Sequence, residues 1–179
     1  DAVLEEAAKF AREVVAPLNR IGDQQGVTLK DGRVTVADGF AAAYRRYIEA
    51  GWMGIAADAE FGGQGLPLAL ANAVNEMMNS ACLSFALCPI LTHGAIEALT
   101  VHATPEQKHT YLTRLISGEW TGTMNLTEPQ AGSDVGALTS KAAPRPDGAY
   151  AITGGKIFIT WGEHDMSHNI VHLVLPRIP

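Results

Sequence analysis

Apolar residues in the first two-thirds of the chain recur at helical spacing. From Val3 to Leu18 an apolar side chain stands at every third or fourth position. This pattern predicts a helix with one face in the core, and Pro17 is expected to end or kink it. Residues 23–33 are polar and glycine-rich and are expected to form a loop. A second apolar stripe follows, with Asp38 as the expected N-cap and Gly51 as the expected stop.

Glycines and capping residues divide the helical region that follows. No Lys-Ser or Lys-Thr pair follows the cluster Gly62-Gly63-Gln64-Gly65, so this cluster indicates a tight turn rather than a phosphate-binding loop. Pro67 suits the first turn of a long helix that breaks between residues 79 and 84 and then continues. Thr104-Pro105-Glu106-Gln107 is a capping box. The helix that it opens is expected to end at Gly118.

Beyond Glu119 the spacing changes to that of strands. Short runs rich in apolar and β-branched residues are separated by the turn sequences Pro146-Asp147-Gly148 and Gly154-Gly155. The expected strands are residues 120–126, 138–142, 150–153, 156–160 and 170–175. The sequence therefore predicts an α+β chain. An all-α helical bundle domain would occupy residues 1–118, and the first part of a β-barrel-like domain would occupy residues 119–179.

The composition narrows the class of protein. With 47% hydrophobic residues among 179, the chain can bury a core. Its formal net charge of −6 disfavours a nucleic-acid-binding surface, which needs clustered Lys and Arg. The longest apolar run, residues 81–91, is too short to span a bilayer, and the N-terminus lacks the plan of a signal peptide. We therefore expect a cytoplasmic protein without a membrane span. Cys82 and Cys88 match no zinc or redox spacing and are expected to be buried apolar residues.

Two stretches about thirty residues apart carry hydroxyl groups in a pattern suited to a cofactor. The first, Met124–Asp134, has hydroxyls at Thr127 and Ser133 with small residues before the second one. Such a segment lets backbone N–H groups approach a ring edge or a pyrophosphate. The second, Gly155–Thr160, has an aromatic residue, Phe158, two positions before its terminal hydroxyl. In a strand these two side chains would share one face, where one can pack on a ring and the other can bond to it.

Together the two stretches resemble the flavin-holding segments of the acyl-CoA dehydrogenase family. The resemblance implies FAD as cofactor and an acyl-CoA thioester as substrate, with Ser133 also near the CoA arm. It covers a first helical domain and the opening of the middle β-domain. It further implies that the C-terminal helical domain, which supplies the catalytic glutamate, is absent from a chain that ends at Pro179. The residues implied to hold FAD are Met124, Leu126, Thr127, Gly132, Ser133, Phe158, Ile159 and Thr160.

The same resemblance implies an activity and partners. The family dehydrogenates an acyl-CoA to the enoyl-CoA in fatty acid metabolism and passes electrons to an electron-transfer flavoprotein, as a homodimer or homotetramer. This portion alone would then be inactive. Residues 162–166, Gly-Glu-His-Asp-Met, are similar to the subgroup of methylmercaptopropionyl-CoA and related long dehydrogenases. An acyl-CoA oxidase or flavin monooxygenase of the same fold, and a helical interaction module without a cofactor, are the alternatives.

Two groups of titratable residues are interpreted as structural. Glu128 lies inside the first stretch but precedes Pro129 at a turn, which favours a hydrogen-bond acceptor over a catalytic base. No residue of the chain is assigned as the base. His164, His168 and His172 are spaced by four, yet they fall in a loop and a strand rather than on one helix, so no metal site is expected.

Overall fold

A computed structural model describes residues 1–178. Pro179, at which the sequence analysis expects the chain to end within the β-domain, lies outside the described residues. The first helical stretch is continuous from Ala2 to Gln25. It consists of α1 (Ala2–Phe10), a π-helical turn (Ala11–Val15) and α2 (Ala16–Gln25). Of the two outcomes expected at Pro17, an end or a kink, the end is wrong, because helical structure continues through this residue. Proline has no N–H to donate in the i→i−4 pattern, and its ring clashes with the preceding turn of an α-helix. A π turn just before the proline departs from this pattern, so the helix can continue.

The segment expected to be a loop contains regular structure at both ends. Helix α2 extends to Gln25, and β1 (Thr28–Lys30) pairs antiparallel with β2 (Arg33–Thr35). The intervening Asp31 and Gly32 have φ values of +51° and +74°, which suits a two-residue hairpin turn.

Helix α3 (Phe40–Glu49) begins without the expected cap. Its N-cap is Gly39, and no side chain caps it. Asp38 instead bonds to Gln25, whose side-chain amide accepts from the Asp38 N–H at 2.9 Å and donates to its carboxylate at 3.2 Å. The predicted stop at Gly51 is confirmed: this residue has φ +78°, a conformation that favours glycine. Short 3₁₀ turns follow at Trp52–Gly54 and Ala59–Phe61.

Three further helices complete the helical part. They are α4 (Leu68–Ala81), α5 (Leu83–His102) and α6 (Pro105–Ile116). The break at Cys82 falls within the expected interval, and the capping box of Thr104 and Gln107 is present with both hydrogen bonds. The core of the helical part includes Tyr44 and Tyr47 of α3 and Phe85 of α5, all exposed by 1% or less. Residues of this kind bury the most apolar surface per side chain.

Among the helices of residues 1–178, only α5 is long and apolar enough to cross a membrane, judged by length and composition alone. Its 20 residues extend well past the apolar run that the sequence singles out. Phe85, Thr92 and Ala95 on this helix are nevertheless completely buried within the chain. We therefore interpret α5 as the central helix of the helical part. A helix buried in a protein core is apolar on most of its surface, as a membrane-crossing helix is.

The β part contains two short two-stranded sheets. Strands β3 (Trp120–Asn125) and β6 (Asn169–Val174) are parallel, whereas β4 (Lys141–Pro144) and β5 (Tyr150–Thr153) are antiparallel. A 3₁₀ turn, Val135–Ala137, precedes β4. The strand expected at 138–142 is therefore found at Lys141–Pro144, and residues 156–160 form no strand at all. The α+β class predicted from the sequence is confirmed, while the domain boundary near residue 118 stays a prediction.

Helix α5 lies directly against β3. The Thr92 hydroxyl donates to the Cys88 carbonyl at 3.0 Å and accepts from the Gly122 N–H of β3 at 3.1 Å. A Cβ added at Gly122 would stand 2.5 Å from the Cβ of Ala95. Only glycine permits this approach, so the first residues of the β part are fixed on the central helix.

Candidate functional site

The first hydroxyl-bearing stretch leaves the end of β3 and folds into a tight turn. Backbone bonds of 2.9 and 3.0 Å join Glu128 and Ala131 in both directions, which puts Pro129 and Gln130 at the tip. The chain then passes through exposed Gly132 and Ser133 before the 3₁₀ turn begins. The stretch is therefore irregular, as predicted, and its backbone is exposed to solvent at Gly132.

Glu128 is the buried centre of this turn, with 2% of its surface exposed. Its carboxylate accepts hydrogen bonds from the Lys156 ammonium, the Gln130 amide, the Thr139 N–H and hydroxyl, and the Ser140 N–H, at 2.7 to 3.1 Å. These donors, with Lys156 first, hold the pKa of the Glu128 carboxyl far below its usual range. A carboxylate saturated in this way is a poor proton acceptor. The interpretation of Glu128 as a structural acceptor is confirmed.

Lys156 connects the two stretches from the side of the second one. Its ammonium donates to the Leu126 carbonyl at 2.9 Å, to Glu128 at 2.9 Å and to the Leu175 carbonyl at 2.8 Å. The side chain is 9% exposed. An ammonium has three donors, and here all of them are used. The residue thus ties both stretches to the chain just after β6.

A backbone bond also joins the two stretches directly. The Ile157 N–H donates to the Thr127 carbonyl at 3.0 Å. The two stretches therefore lie side by side. The strand expected for the second one is wrong, because Phe158 has φ +56° and Trp161 has φ +54°, conformations incompatible with an extended strand. Phe158 and Thr160 are consequently placed by two local bends rather than by a shared strand face.

The predicted site residues lie around this junction with different exposures. Phe158 is 86% exposed and Met124 on β3 is 36% exposed. The half-buried members are Leu126, Thr127 and Ile159, and the exposed ones are Gly132, Ser133 and Thr160. Among residues 1–178, the hydroxyls of Thr127, Ser133 and Thr160 have no hydrogen-bond partner, whereas the hydroxyls of Thr121 and Thr123 on the neighbouring strand do.

Sequence reasoning missed Lys156 as a member of the site. The residue stands between Gly155 and the apolar pair Ile157-Phe158, and a lone lysine in such a position is a candidate for a buried ion pair. Its partner Glu128 lies 28 positions earlier. Nothing local in either stretch specifies that the two side chains meet.

The histidines of this region face hydroxyl groups. His164 bonds to Thr121 at 3.0 Å and His172 to Thr123 at 2.6 Å. Within residues 1–178, no group of three or more His, Cys, Asp or Glu side chains is arranged to hold a metal ion. Burial raises the pKa of the Cys88 thiol to about 12, so this cysteine is unreactive at neutral pH.

Known proteins resemble the chain along its whole length. Residues 1–119 match the family model for the N-terminal domain of acyl-CoA dehydrogenases, and residues 123–175 match the model for the middle domain. The chain is 53% identical over 178 residues to 3-methylmercaptopropionyl-CoA dehydrogenase of Ruegeria pomeroyi, covering 99% of the chain and 30% of that protein. It is 39% identical over 183 residues to a butyryl-CoA dehydrogenase of Syntrophomonas wolfei, covering 100% of the chain and 30% of that protein. The chain thus spans 30% of the length of these curated relatives.

Solved structures share the fold. An acyl-CoA dehydrogenase of Bacillus anthracis in complex with FAD has a TM-score of 0.76 and 25% identity, with 99% of this chain and 28% of that one covered. The butyryl-CoA dehydrogenase of Megasphaera elsdenii has a TM-score of 0.76 and 25% identity, with 90% and 40% covered.

Proposed function

Because the chain belongs to the acyl-CoA dehydrogenase family, we propose that the protein containing it oxidises an acyl-CoA thioester to the α,β-enoyl-CoA with FAD as cofactor. The observation that carries the proposal is the junction of the two hydroxyl-bearing stretches through Ile157 and Thr127. Around this junction lie the exposed ring of Phe158 and three hydroxyls, of Thr127, Ser133 and Thr160, that have no hydrogen-bond partner among residues 1–178.

The residues at this junction fit an isoalloxazine ring. A flavin presents flat apolar faces and a polar edge, and it needs an aromatic or aliphatic surface beside groups that hydrogen-bond. Phe158 and Met124 supply exposed apolar surface, while Thr127 and Thr160 supply hydroxyls. Gly132 has no neighbour within 4 Å of an added Cβ, so its backbone is open to a close approach.

Six of the eight predicted residues have a specific proposed role in holding the cofactor. Leu126 and Thr127 would contact the polar edge of the ring through backbone and hydroxyl groups, and Phe158 with Ile159 would form the wall. Ser133 would bond to the pyrophosphate and the CoA arm, and Thr160 would donate to the reacting edge. Bound FAD would supply the acceptor for the hydride from the thioester β-carbon. Donors of this kind stabilise negative charge that develops in the reaction.

The rigid Lys156–Glu128 junction is proposed to preorganise these groups. Positioning within a few tenths of an ångström is what a buried support can add to catalysis. Glu128 itself is excluded as the base, since its carboxylate already accepts five hydrogen bonds. The base is proposed to lie in a C-terminal helical domain outside this chain, with residues 1–118 and 119–179 as the first domain and the opening of the second.

The finer assignments rest on relatives. The 53% identity to 3-methylmercaptopropionyl-CoA dehydrogenase supports a substrate of that class, an acyl-CoA with a short chain that carries a thioether. We further propose an electron-transfer flavoprotein as electron acceptor, a homodimer or homotetramer as the assembly, a place in fatty acid metabolism and a cytoplasmic location.

Anaerobic titration of the full-length protein tests the proposal. Acyl-CoA thioesters with and without a thioether sulfur, added in stoichiometric amounts, should bleach the flavin absorbance, and the thioether substrate should do so at the lowest concentration. Absence of flavin absorbance after incubation with FAD would overturn the cofactor assignment. Reoxidation of the reduced flavin by air within one turnover would replace the dehydrogenase by an oxidase or monooxygenase.

A further inference from the structure

The segment Trp161–His168, here termed the anchor segment, follows directly after Thr160 and is held at three separate points of the chain. The Trp161 indole N–H donates to the Ser84 carbonyl at 3.0 Å. The Asp165 carboxylate accepts from the Val36 N–H at 3.1 Å. The His168 N–H donates to the Glu119 carbonyl at 3.1 Å. The exposed Phe158 and Thr160 are therefore carried on a loop whose far side is fixed to the helical part.

His164 lies at the centre of the anchor segment and is 5% exposed. Its Nδ1 accepts from the Met166 N–H at 3.1 Å, so Nδ1 carries no proton. Its Nε2 lies 3.0 Å from the Thr121 hydroxyl on β3. The imidazole is therefore neutral with its proton on Nε2, because a second proton on Nδ1 would face the Met166 N–H.

A chain of hydroxyl groups fixes the direction of these bonds. The Ser167 hydroxyl donates to the Asn169 carbonyl at 2.9 Å, which uses its one proton. The Thr121 hydroxyl must then donate to Ser167, 3.1 Å away, and accept from His164. The Nε2 proton of His164 and the hydroxyl protons of Thr121 and Ser167 are thus all committed. A side chain that cannot both donate and accept breaks the chain.

The surroundings of His164 favour the neutral ring. Burial lowers its pKa, and this effect outweighs the attraction of the flanking Glu163 and Asp165 carboxylates. Strand β3 meets the ring with the Thr121 hydroxyl, and His172 of β6 lines the adjacent cavity of about 240 Å³. Trp161 packs edge-on against the imidazole with ring centroids 5.5 Å apart.

We propose that His164 is a positioning residue, whose bonds to Met166 and Thr121 seat the anchor segment and thereby set the place of Phe158 and Thr160. This inference rests on the proposed function for its catalytic consequence. The structural part stands on the contacts of the anchor segment alone.

Two substitutions test the role in the full-length protein. His164→Phe keeps an aromatic ring but removes both hydrogen bonds of the imidazole, and Thr121→Val removes the hydroxyl that bonds to both Nε2 and Ser167. Both should speed backbone hydrogen exchange of residues 157–166 by about tenfold or more, because local opening no longer breaks the bonded network. In the flavin-loaded protein both should slow flavin reduction by about tenfold with little change in the KM for the acyl-CoA.

Conservative and control variants distinguish positioning from general damage. His164→Gln retains a donor toward Thr121 and should recover most of the lost reduction rate. His168→Gln changes an exposed histidine of the same segment and should match the wild type in both measurements. Unchanged exchange in His164→Phe and Thr121→Val would overturn the inference, as would a His164→Gln variant no better than His164→Phe. If the protein binds no FAD, the proposed function fails, and the exchange measurement still decides the role of His164.

Discussion

The Lys156 ammonium lies 2.9 Å from the Glu128 carboxylate, and these two residues, 28 positions apart in the chain, join the two hydroxyl-bearing stretches. Both side chains are almost fully withdrawn from solvent. Each has further partners, so neither charge depends on the other alone. A buried ion pair with complete hydrogen bonding favours one arrangement of the backbone around it, even where its net contribution to stability is small.

Replacing Lys156 by Met should separate the two stretches. The change leaves the Glu128 carboxylate buried without its cation and removes donors from the Leu126 and Leu175 carbonyls. We expect a lower melting temperature and a weaker hold on FAD, measured by thermal unfolding and by flavin release on dilution. Lys141→Met, which removes an exposed lysine charge on β4, is the control. Equal behaviour of the two variants would contradict a linking role for Lys156.

Stability should depend on the charge of Glu128 in the acidic range. Because Lys156 and the other donors lower the pKa of this carboxyl in the folded state, the folded chain binds fewer protons there than the unfolded chain. The stabilisation is complete above pH 4.5, the ordinary glutamate value, and declines below it. Glu128→Gln should therefore unfold at a lower temperature at pH 7, and its deficit should shrink as the pH falls below 4.5.

Thermal unfolding between pH 3 and 7 measures this difference between wild type and variant. The exposed Glu76→Gln on α4 should follow the wild type throughout the range. A deficit of Glu128→Gln that stays constant with pH would show that loss of shape, rather than loss of charge, causes it.

Local signals in the sequence located most helix ends. The capping box at Thr104 and the left-handed glycine at Gly51 act through bonds and dihedral angles within a few residues, so the sequence alone specifies them. The errors occurred where a distant or unusual partner intervened. A π turn accommodates Pro17, and Gln25 binds the Asp38 side chain that was expected to cap α3.

The candidate site shows the same division. The irregular path of the first stretch was predictable, since its small and hydroxyl-bearing residues are a property of that stretch alone. The bend at Phe158 was not, because Phe158 and Trp161 adopt positive φ only in a segment fixed at Lys156 on one side and in the anchor segment on the other. Tertiary contacts of this kind leave no periodicity in the sequence.

The contact between α5 and β3 should make Gly122 sensitive to any side chain. Gly122→Ala would bring a methyl group within 2.5 Å of the Ala95 Cβ, so the strand must shift away from the helix, at a cost of about 1–3 kcal/mol. Chemical denaturation measures this loss. Gly94→Ala, in the same helix but with no neighbour within 4 Å, should instead stabilise by about 0.5–1 kcal/mol. Destabilisation of similar size in both would contradict the steric explanation.

The hydroxyls of Thr160 and Ser133, which have no hydrogen-bond partner among residues 1–178, should have separable effects on the flavin. In the full-length protein, Thr160→Ala should slow flavin reduction by about tenfold or more with little loss of FAD, because a donor at the reacting edge acts mainly on developing charge. Ser133→Ala should weaken FAD retention more than it slows reduction, because a pyrophosphate contact holds the cofactor equally before and after reaction. Stopped-flow reduction and dilution-induced flavin release measure the two effects. Thr113→Ala, an exposed threonine on α6, should change neither, and negligible effects of both site variants would contradict the proposed placement of FAD.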